Sequence, residues 1–549
     1  MTNIVRSSEP NIALSTWQRE FRSYVASGYQ ILFIQTSEES RCIADIQQVC
    51  RVDNMHLISW DIATGFKIKL QAEQTAAPKF PSATDPIEAL SYLTNDSLCP
   101  HDAVYVMKDL DDFLPKSDLL RRMLQNISED RLLSGDHNGS TYRPLVIVSS
   151  SLNIPLKLRQ HVASLEFGLP NEADLRHVVE ALQLTMPMRE LEQEENMVKL
   201  VRCLAGLTSS EADNAASRAM AMCSDNFDKL LATVKREKAR IIKQSETLSY
   251  VDEDTIAAID DIGGFDNFNE WLDSNAACYS REAVAAGMEY PKGVCLMGMS
   301  GTGKSIMAKA LAKRLGLPCY TLDIGAVFSK YIGDSEQKIR DAIKTIEAQD
   351  GCVVLIDEID KALGGMGDSD SGVGQRVLGT LLTWLAEKKS PTFVVVTLNR
   401  VEKLPPEMLR SGRFDAIFCT SLPSAEDRKT IFRIHLKKRG RIAALAALDA
   451  DPAAWPQLVE QTHDYVGAEI ETIIVEAQRR AFTSRRDPNP NLAELMSCAE
   501  AITPVAKLNI SDTQKMSEMQ KLYNARPVAR IVSKETQIAP RGRAVRAAQ

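Results

Sequence analysis

Apolar residues along this chain fall in two rhythms, and the rhythms alternate. Between residues 11 and 26, Trp17, Phe21 and Val25 recur at helical spacing, as on one face of an amphipathic helix. Ile31 to Ile34 then forms an unbroken apolar run, and similar runs follow at Val104–Met107 and Val146–Val148. Such runs predict strands buried on both faces, as in a parallel sheet. Residues 171–244 return to a helical pattern and end in Lys235-Arg236-Glu237-Lys238, read as a solvated helix face. The order then repeats. Val294–Met297, Leu322–Ile324, Cys352–Ile356 and Val394–Val396 predict strands, with residues 306–315 at helical spacing after the first. Alternation of this kind predicts helices layered on parallel sheets.

The two halves share a layout but not a chemistry. Asp109 and Val148 are separated by the same number of residues as Asp357 and Val396, which predicts an internal duplication. In the second half, Gly298-Met299-Ser300-Gly301-Thr302-Gly303-Lys304-Ser305-Ile306 follows a strand and opens a helix, matching the phosphate-binding pattern G-x-x-x-x-G-K-[ST]. Gly301 and Gly303 let successive backbone N–H groups converge on a phosphate at the helix N-terminus. Lys304 is placed to reach the terminal phosphates of ATP, and Ser305 to hold Mg²⁺. Asp357-Glu358 follows a buried strand, offering one carboxylate to the metal and the next to an attacking water. The matching place in the first half reads Gln35-Thr36-Ser37-Glu38-Glu39-Ser40. Without glycine or lysine, and with two carboxylates, it should repel a nucleotide, so one ATP per chain is expected.

Composition narrows the class. A chain of 549 residues is too long for one core. Its net charge of −8 argues against bulk nucleic-acid binding. Eleven cysteines without a Cys-x-x-Cys pair predict reduced thiols in a cytosol-like compartment, and seven histidines form no ligand cluster. No apolar run has the length of a membrane span, and the N-terminus lacks a signal-peptide core, so a soluble, unsecreted protein is expected. Residues 526–549, with Arg526, Arg530, Lys534, Arg541, Arg543 and Arg546 against Glu535, predict a disordered basic tail.

Further motifs occur in a fixed order. They are Asp261-Ile262-Gly263-Gly264, Phe328 to Glu336, a glycine-rich loop from Gly364 to Gly374, and Asn399 after a strand. Leu409-Arg410-Ser411-Gly412-Arg413-Phe414-Asp415, Arg433-Ile434-His435 and Tyr465 to Ile470 come after them. On these residues, 255–480 resembles an AAA+ ATPase module of the AAA clade. With its degenerate N-terminal half and the stretch Leu382–Pro391, nearly the whole chain resembles the hypothetical chloroplast and cyanobacterial open-reading-frame family of AAA ATPases. The resemblance implies a P-loop NTPase (AAA+) parallel sheet plus helical lid, preceded by a degenerate AAA-like α/β domain. The corresponding boundaries are 1–170 for the degenerate domain, 171–250 for a lid-like region and linker, and 251–425 for the ATPase core. A helical lid over 426–505 and a C-terminal helix and basic tail over 506–549 complete the layout.

The resemblance also implies roles. Asn399 would position the attacking water, and Arg410 and Arg413 would be arginine fingers completing a neighbour's site. Ile262, Gly263, His435, Gly467 and Ala468 would contact adenine and ribose, and Lys330-Tyr331 would be a central-pore loop. The implied assembly is a homo-oligomer, a hexameric ring, acting on an unknown protein client, with nucleic acid not the expected partner. The implied compartment is the cytoplasm, or the plastid stroma if the chain is plastid-encoded. The residues leave alternatives open: His435 could cap a lid helix, Tyr331 could be a packed aromatic, and Arg413 could make an internal salt bridge. Met299-Ser300 stands where the clade usually has two prolines, and Ala416 follows Asp415 where an arginine is common. The rival function is a nucleotide-dependent switch or scaffold that binds a partner through its inactive N-terminal half.

Overall fold

A computed structural model describes residues 14–72, 80–94, 102–129, 143–150, 154–155, 157–223, 226–243, 247–252, 265–279, 281–328, 332–349, 351–364, 371–400, 406–410, 412–485, 487–508, 518 and 520–529. The chain divides into two compact units, Met1–Asp225 and Asn226–Gln549.

The first unit holds a six-stranded sheet of β1 (Ile31–Gln35), β2 (His56–Asp61), β3 (Gly65–Leu70), β4 (Ala103–Lys108), β5 (Leu145–Ser149) and β6 (Ala163–Glu166). Their order is β3-β2-β4-β5-β1-β6, parallel except for the β2–β3 hairpin. Alternation along each strand feeds two cores. Ile31, Phe33, Tyr105, Met107 and Ile147 enter one, and Leu32, Ile34, Val104, Val106 and Val148 the other. The first helix runs Thr16–Ala26 with Phe21 and Val25 buried, and starts where Ser15 and Gln18 form a capping box.

The second unit holds β7 (Leu248–Val251), β8 (Gly293–Gly298), β9 (Cys319–Leu322), β10 (Cys352–Ile356), β11 (Thr392–Leu398), β12 (Ala416–Thr420) and β13 (Arg526–Pro527). Their order is β13-β12-β8-β11-β10-β9-β7, parallel except for β7. Cys295, Met297, Val354, Ile356, Val394 and Val396 pack on one face; Val294, Leu296, Val353, Leu355, Phe393 and Val395 pack on the other. Leaving aside β3, β7 and β13, the remaining five strands of each sheet run in the same order relative to the chain: fifth, first, fourth, third, second. Five helices from Ala425 to Ala501 form a separate cluster around Phe432, Trp455, Ile470, Ile473 and Leu495. Among the described residues no helix is long and apolar enough to cross a membrane.

Four expectations change. The strand expected at Leu322–Ile324 ends at Leu322, because Asp323 caps a short helix, its Oδ1 accepting from Ala326 N at 3.1 Å. The helix Phe227–Ile242 falls in the second unit, and its basic run is not one solvated face. Lys238 and Glu237 are buried, with Lys238 Nζ donating to Gln349 Oε1 at 2.7 Å. The glycine-rich loop narrows, since a helix begins at Ser371. The basic tail does not begin at Arg526: Arg526 and Pro527 pair with β12 as an edge strand. Residues 530–549 lie outside the described residues.

Candidate functional site

Parallel strands bring their carboxyl ends to one edge, and the site is assembled there. Register places Leu398 beside Met297, Thr420 beside Gly298 and Ile356 beside Val396. The segments leaving β8, β10, β11 and β12 therefore converge. Gly298 has φ +155° and Gly301 φ +81°. A Cβ on Gly298 would strike the Thr420 hydroxyl, and one on Gly301 would lie 2.9 Å from Val466 and 3.1 Å from Ala468. The helix Lys304–Leu315 starts directly after this loop.

Within the loop, Lys304 is buried. Its ammonium donates to Gly298 O at 2.8 Å, Met299 O at 2.7 Å and Asn399 Oδ1 at 2.9 Å. Burial lowers it to about 8, against the pull of Asp357, Asp360 and Glu358. These carbonyls are the acceptors that an anionic oxygen would replace. Ser305 Oγ donates to both carboxylate oxygens of Asp357, at 2.8 and 2.9 Å. Thr397 Oγ1 also donates to Asp357 and accepts from Glu358 N at 2.8 Å. A hydroxyl beside a carboxylate is a hard oxygen set suited to Mg²⁺. Among the described residues no group of three or more His, Cys, Asp or Glu could hold a metal. A cation here would therefore complete its shell with phosphate and water oxygens, as Mg²⁺ commonly does.

Glu358 sits in the left-handed region at φ +48°. That kink turns the chain at the strand end. Asn399 Nδ2 donates to its Oε1 at 3.0 Å, and Lys361 pairs with its Oε2 at 2.5 Å. Lys361 first, and Asn399 with it, hold the Glu358 carboxyl below its ordinary value, against partial burial. Asp360 is buried and accepts from Asn399 N at 3.1 Å and Arg400 N at 3.2 Å, fixing the backbone just past β11.

A pocket of about 340 Å³ runs from Ser300–Ile306, Asp357, Glu358 and Asn399 to Ile431, Ile434, His435, Gly467 and Ala468. Gly298 and Met299 contribute carbonyls to Lys304 and do not line it. The helix Gly467–Arg485 docks on the loop through Ala468 N to Gly301 O, 3.2 Å. Burial lowers the His435 imidazole below its usual value, keeping it neutral at neutral pH. Its buried Nδ1 has no hydrogen-bond partner and lies 3.7 Å from Glu471 Oε1. An orphaned polar atom in an apolar stretch suits a ligand that brings its own donor or acceptor, as a nucleoside does.

Arg410 and Arg413 do not line this pocket. Arg410 is exposed, and Arg413 carries a buried Nη1 without a partner. The loop bearing them is held by Lys292 Nζ to Gly412 O at 2.8 Å and by Gly293 N to Asp415 Oδ2 at 2.8 Å. Ile262, Gly263, Lys330 and Tyr331 lie outside the described residues. Sequence reading missed Thr397, Asp360, Lys361 and Phe265, and also Val528 and Ala529, which line the pocket. Asp360 and Lys361 were visible just past the acidic pair. Nothing local marked Val528 or Ala529, whose placement depends on the chain folding back.

Known proteins match this layout. Residues 294–422 match the model of the ATPase family associated with various cellular activities (AAA), and residues 17–167 match that of the SpoVK-like AAA ATPase N-terminal domain. The AAA domain-containing protein ycf46 of Guillardia theta is 31% identical over 91% of this chain and 94% of its own. That of Pyropia yezoensis is also 31% identical, over 91% and 96%. The proteasome-activating nucleotidase of Methanosarcina mazei is 32% identical over 47% of this chain and 60% of its own.

Proposed function

This chain belongs to the AAA ATPase family, alongside the ycf46 AAA domain-containing proteins, and on that premise we propose a Mg²⁺-dependent ATPase that works as a homo-oligomeric ring on a protein client. The observation that carries the reading is the pairing, at one sheet edge, of Ser305 on Asp357 with Glu358 on Asn399. Gly298–Ile306 cradles the phosphates, and Lys304 turns from its backbone carbonyls to a phosphate oxygen. Ser305 and Asp357 hold Mg²⁺, which when bound screens phosphate charge. Glu358 takes a proton from the attacking water, which Asn399 orients. His435, Gly467 and Ala468, with Ile262 and Gly263, hold adenine and ribose.

Arg410 and Arg413 complete the site of the next subunit, where an always-charged guanidinium spreads over the phosphate oxygens. Their position off their own pocket supports action in trans. Lys330-Tyr331 grips the client. Likeness to a proteasome-activating nucleotidase favours protein over nucleic acid as that client. The expected compartment is the cytoplasm or plastid stroma. The second reading, a nucleotide-dependent switch or scaffold, draws on a first unit that lacks a phosphate loop.

Dilution and mixing separate the two. Activity per chain should rise with concentration, and Arg413→Ala should remove roughly 10³-fold of the rate while ATP still binds. Arg413→Ala mixed with Glu358→Gln should regain part of the activity. Activity independent of dilution, with a dead mixture, would favour the switch.

A further inference from the structure

We propose that the carboxyl-terminal strap Arg526–Ala529, fastened by Asn267, forms a wall of the nucleotide pocket and positions the base end of ATP. The proposal rests on the ATPase reading and adds to it a positioning residue more than 30 residues before the phosphate loop and a wall more than 200 residues after it.

The strap is a minimal edge strand. Pro527 has no N–H to give the ladder, so β13 leans on few hydrogen bonds. Val528 N donates to Cys419 O at 3.1 Å, and Val528 O accepts from Asn267 N at 3.0 Å and Phe268 N at 3.3 Å. Asn267 Nδ2 then uses both of its hydrogens, on Pro527 O at 3.1 Å and Ala529 O at 2.9 Å. One amide therefore clamps the strap on either side of Val528. The Val528 side chain is buried with Phe265, Phe268, Leu296, Met307 and Phe418.

That packing reaches the nucleotide loop. Phe265 lines the pocket, and its ring would stand 3.4 Å from a Cβ on Gly303. Val528, Ala529, Phe265, Ile431 and Ile434 are apolar members of the lining, which carries Lys304, Asp357 and Glu358 beside the phosphate loop and Asp427, Lys438 and Glu471 on the helices past Ala425. An apolar wall suits a purine, and the end that holds Lys304 suits phosphates. A short edge strand with few ladder hydrogen bonds depends on each clamp that docks it, and loss of the Asn267 amide shifts chains toward the undocked state. Apparent affinity then falls in proportion to the fraction of chains with the strap docked.

The test is calorimetric titration of the full chain with ATP and, separately, with inorganic tripolyphosphate. Asn267→Ala should weaken ATP roughly tenfold through loss of the docked state, with tripolyphosphate affinity unchanged. Ala529→Trp, which fills the wall without removing a hydrogen bond, should show the same split. A strap that is only structural would weaken both ligands together, and that result overturns the proposal, as does ATP affinity unmoved in both variants. If wild-type protein binds neither ligand, the ATPase reading fails and the strap role with it; wild-type binding with indifferent variants defeats the strap alone.

Discussion

The two units use one sheet order and place opposite chemistry on it. In the second unit, residues 299–303 carry the chain from β8 to the helix that opens at Lys304; in the first, only residues 36–38 separate β1 from the helix that opens at Glu39. The shorter connection leaves no glycine loop. Its last residue, Glu38, is buried and accepts from Ser209 N at 2.7 Å, Ser209 Oγ at 2.6 Å and Arg41 Nε at 2.9 Å. Ser209 opens the helix Ser209–Met222, much as Gly467 opens the helix that docks on Gly301. A carboxylate of the chain itself thus sits where two helix N-termini meet, the kind of place a phosphate would take.

Charge is reversed one step further along. After β4, Asp109 adopts φ +50°, the same left-handed kink as Glu358 at +48° after β10. The residue before the kink is Asp357 in one unit and Lys108 in the other. Lys108 pairs with Glu39 at 2.5 Å, so the lysine is on the strand and the acid on the helix. Burial, then Glu39 and Asp112, push the Asp109 carboxyl above its ordinary value, whereas Lys361 and Asn399 hold Glu358 below its own. The shared kink does not set how a carboxylate titrates; its neighbours do.

Four experiments test this contrast. The largest effect is on turnover: Glu358→Gln should retain ATP and lose about 10²-fold or more of hydrolysis, while Asp109→Asn leaves the rate unaltered. A steady-state phosphate-release assay reads both, and near-normal turnover by Glu358→Gln would remove that residue from the role of base. Next in size is stability. Glu38→Ala leaves the Ser209 amide without its carboxylate acceptor and takes one partner from Arg41, which keeps Asp174 and Gly168 O, and should lower the first unit's unfolding free energy by about 2 kcal/mol. Stoichiometry should remain one ATP per chain in wild type and variant alike; a calorimetric value near two would mean that the first unit binds nucleotide after all.

The smallest effect is a pH signature of two buried lysines in the second unit. Burial lowers both Lys304 and Lys388 to about 8, whereas an unfolded lysine titrates near ~10.4. Between those values these two lysines hold more protons in the unfolded chain than in the folded one, so their contribution to stability rises with pH through that window. Denaturant unfolding of nucleotide-free protein at pH 8 and 10 should show this lysine contribution as the difference between wild type and Lys388→Met, about 1 kcal/mol or more. The second unit's buried cysteines, whose thiols burial pushes up, pull the other way equally in both proteins. The same pH dependence in both proteins would assign the signature elsewhere.

The chemistry of the second unit could be read from local order, because a phosphate loop is a contiguous backbone device between one strand and one helix. The runs Val294–Met297, Cys352–Ile356 and Val394–Val396 gave their strands by the same local logic, and the four residues from Gln35 to Glu38 already lacked what a nucleotide needs. Leu322–Ile324 misled because an apolar run does not reveal that the aspartate inside it caps a helix. Tertiary structure alone decided the rest. Thr397 and Asp360 gain their roles only when parallel register sets β10 beside β11, and Glu38 gains its partners only when a helix far along the chain arrives. Val528 becomes a pocket wall only because the last described segment returns to the sheet edge. Such contacts depend on which segments fold back together, and no spacing within a single stretch of sequence encodes that.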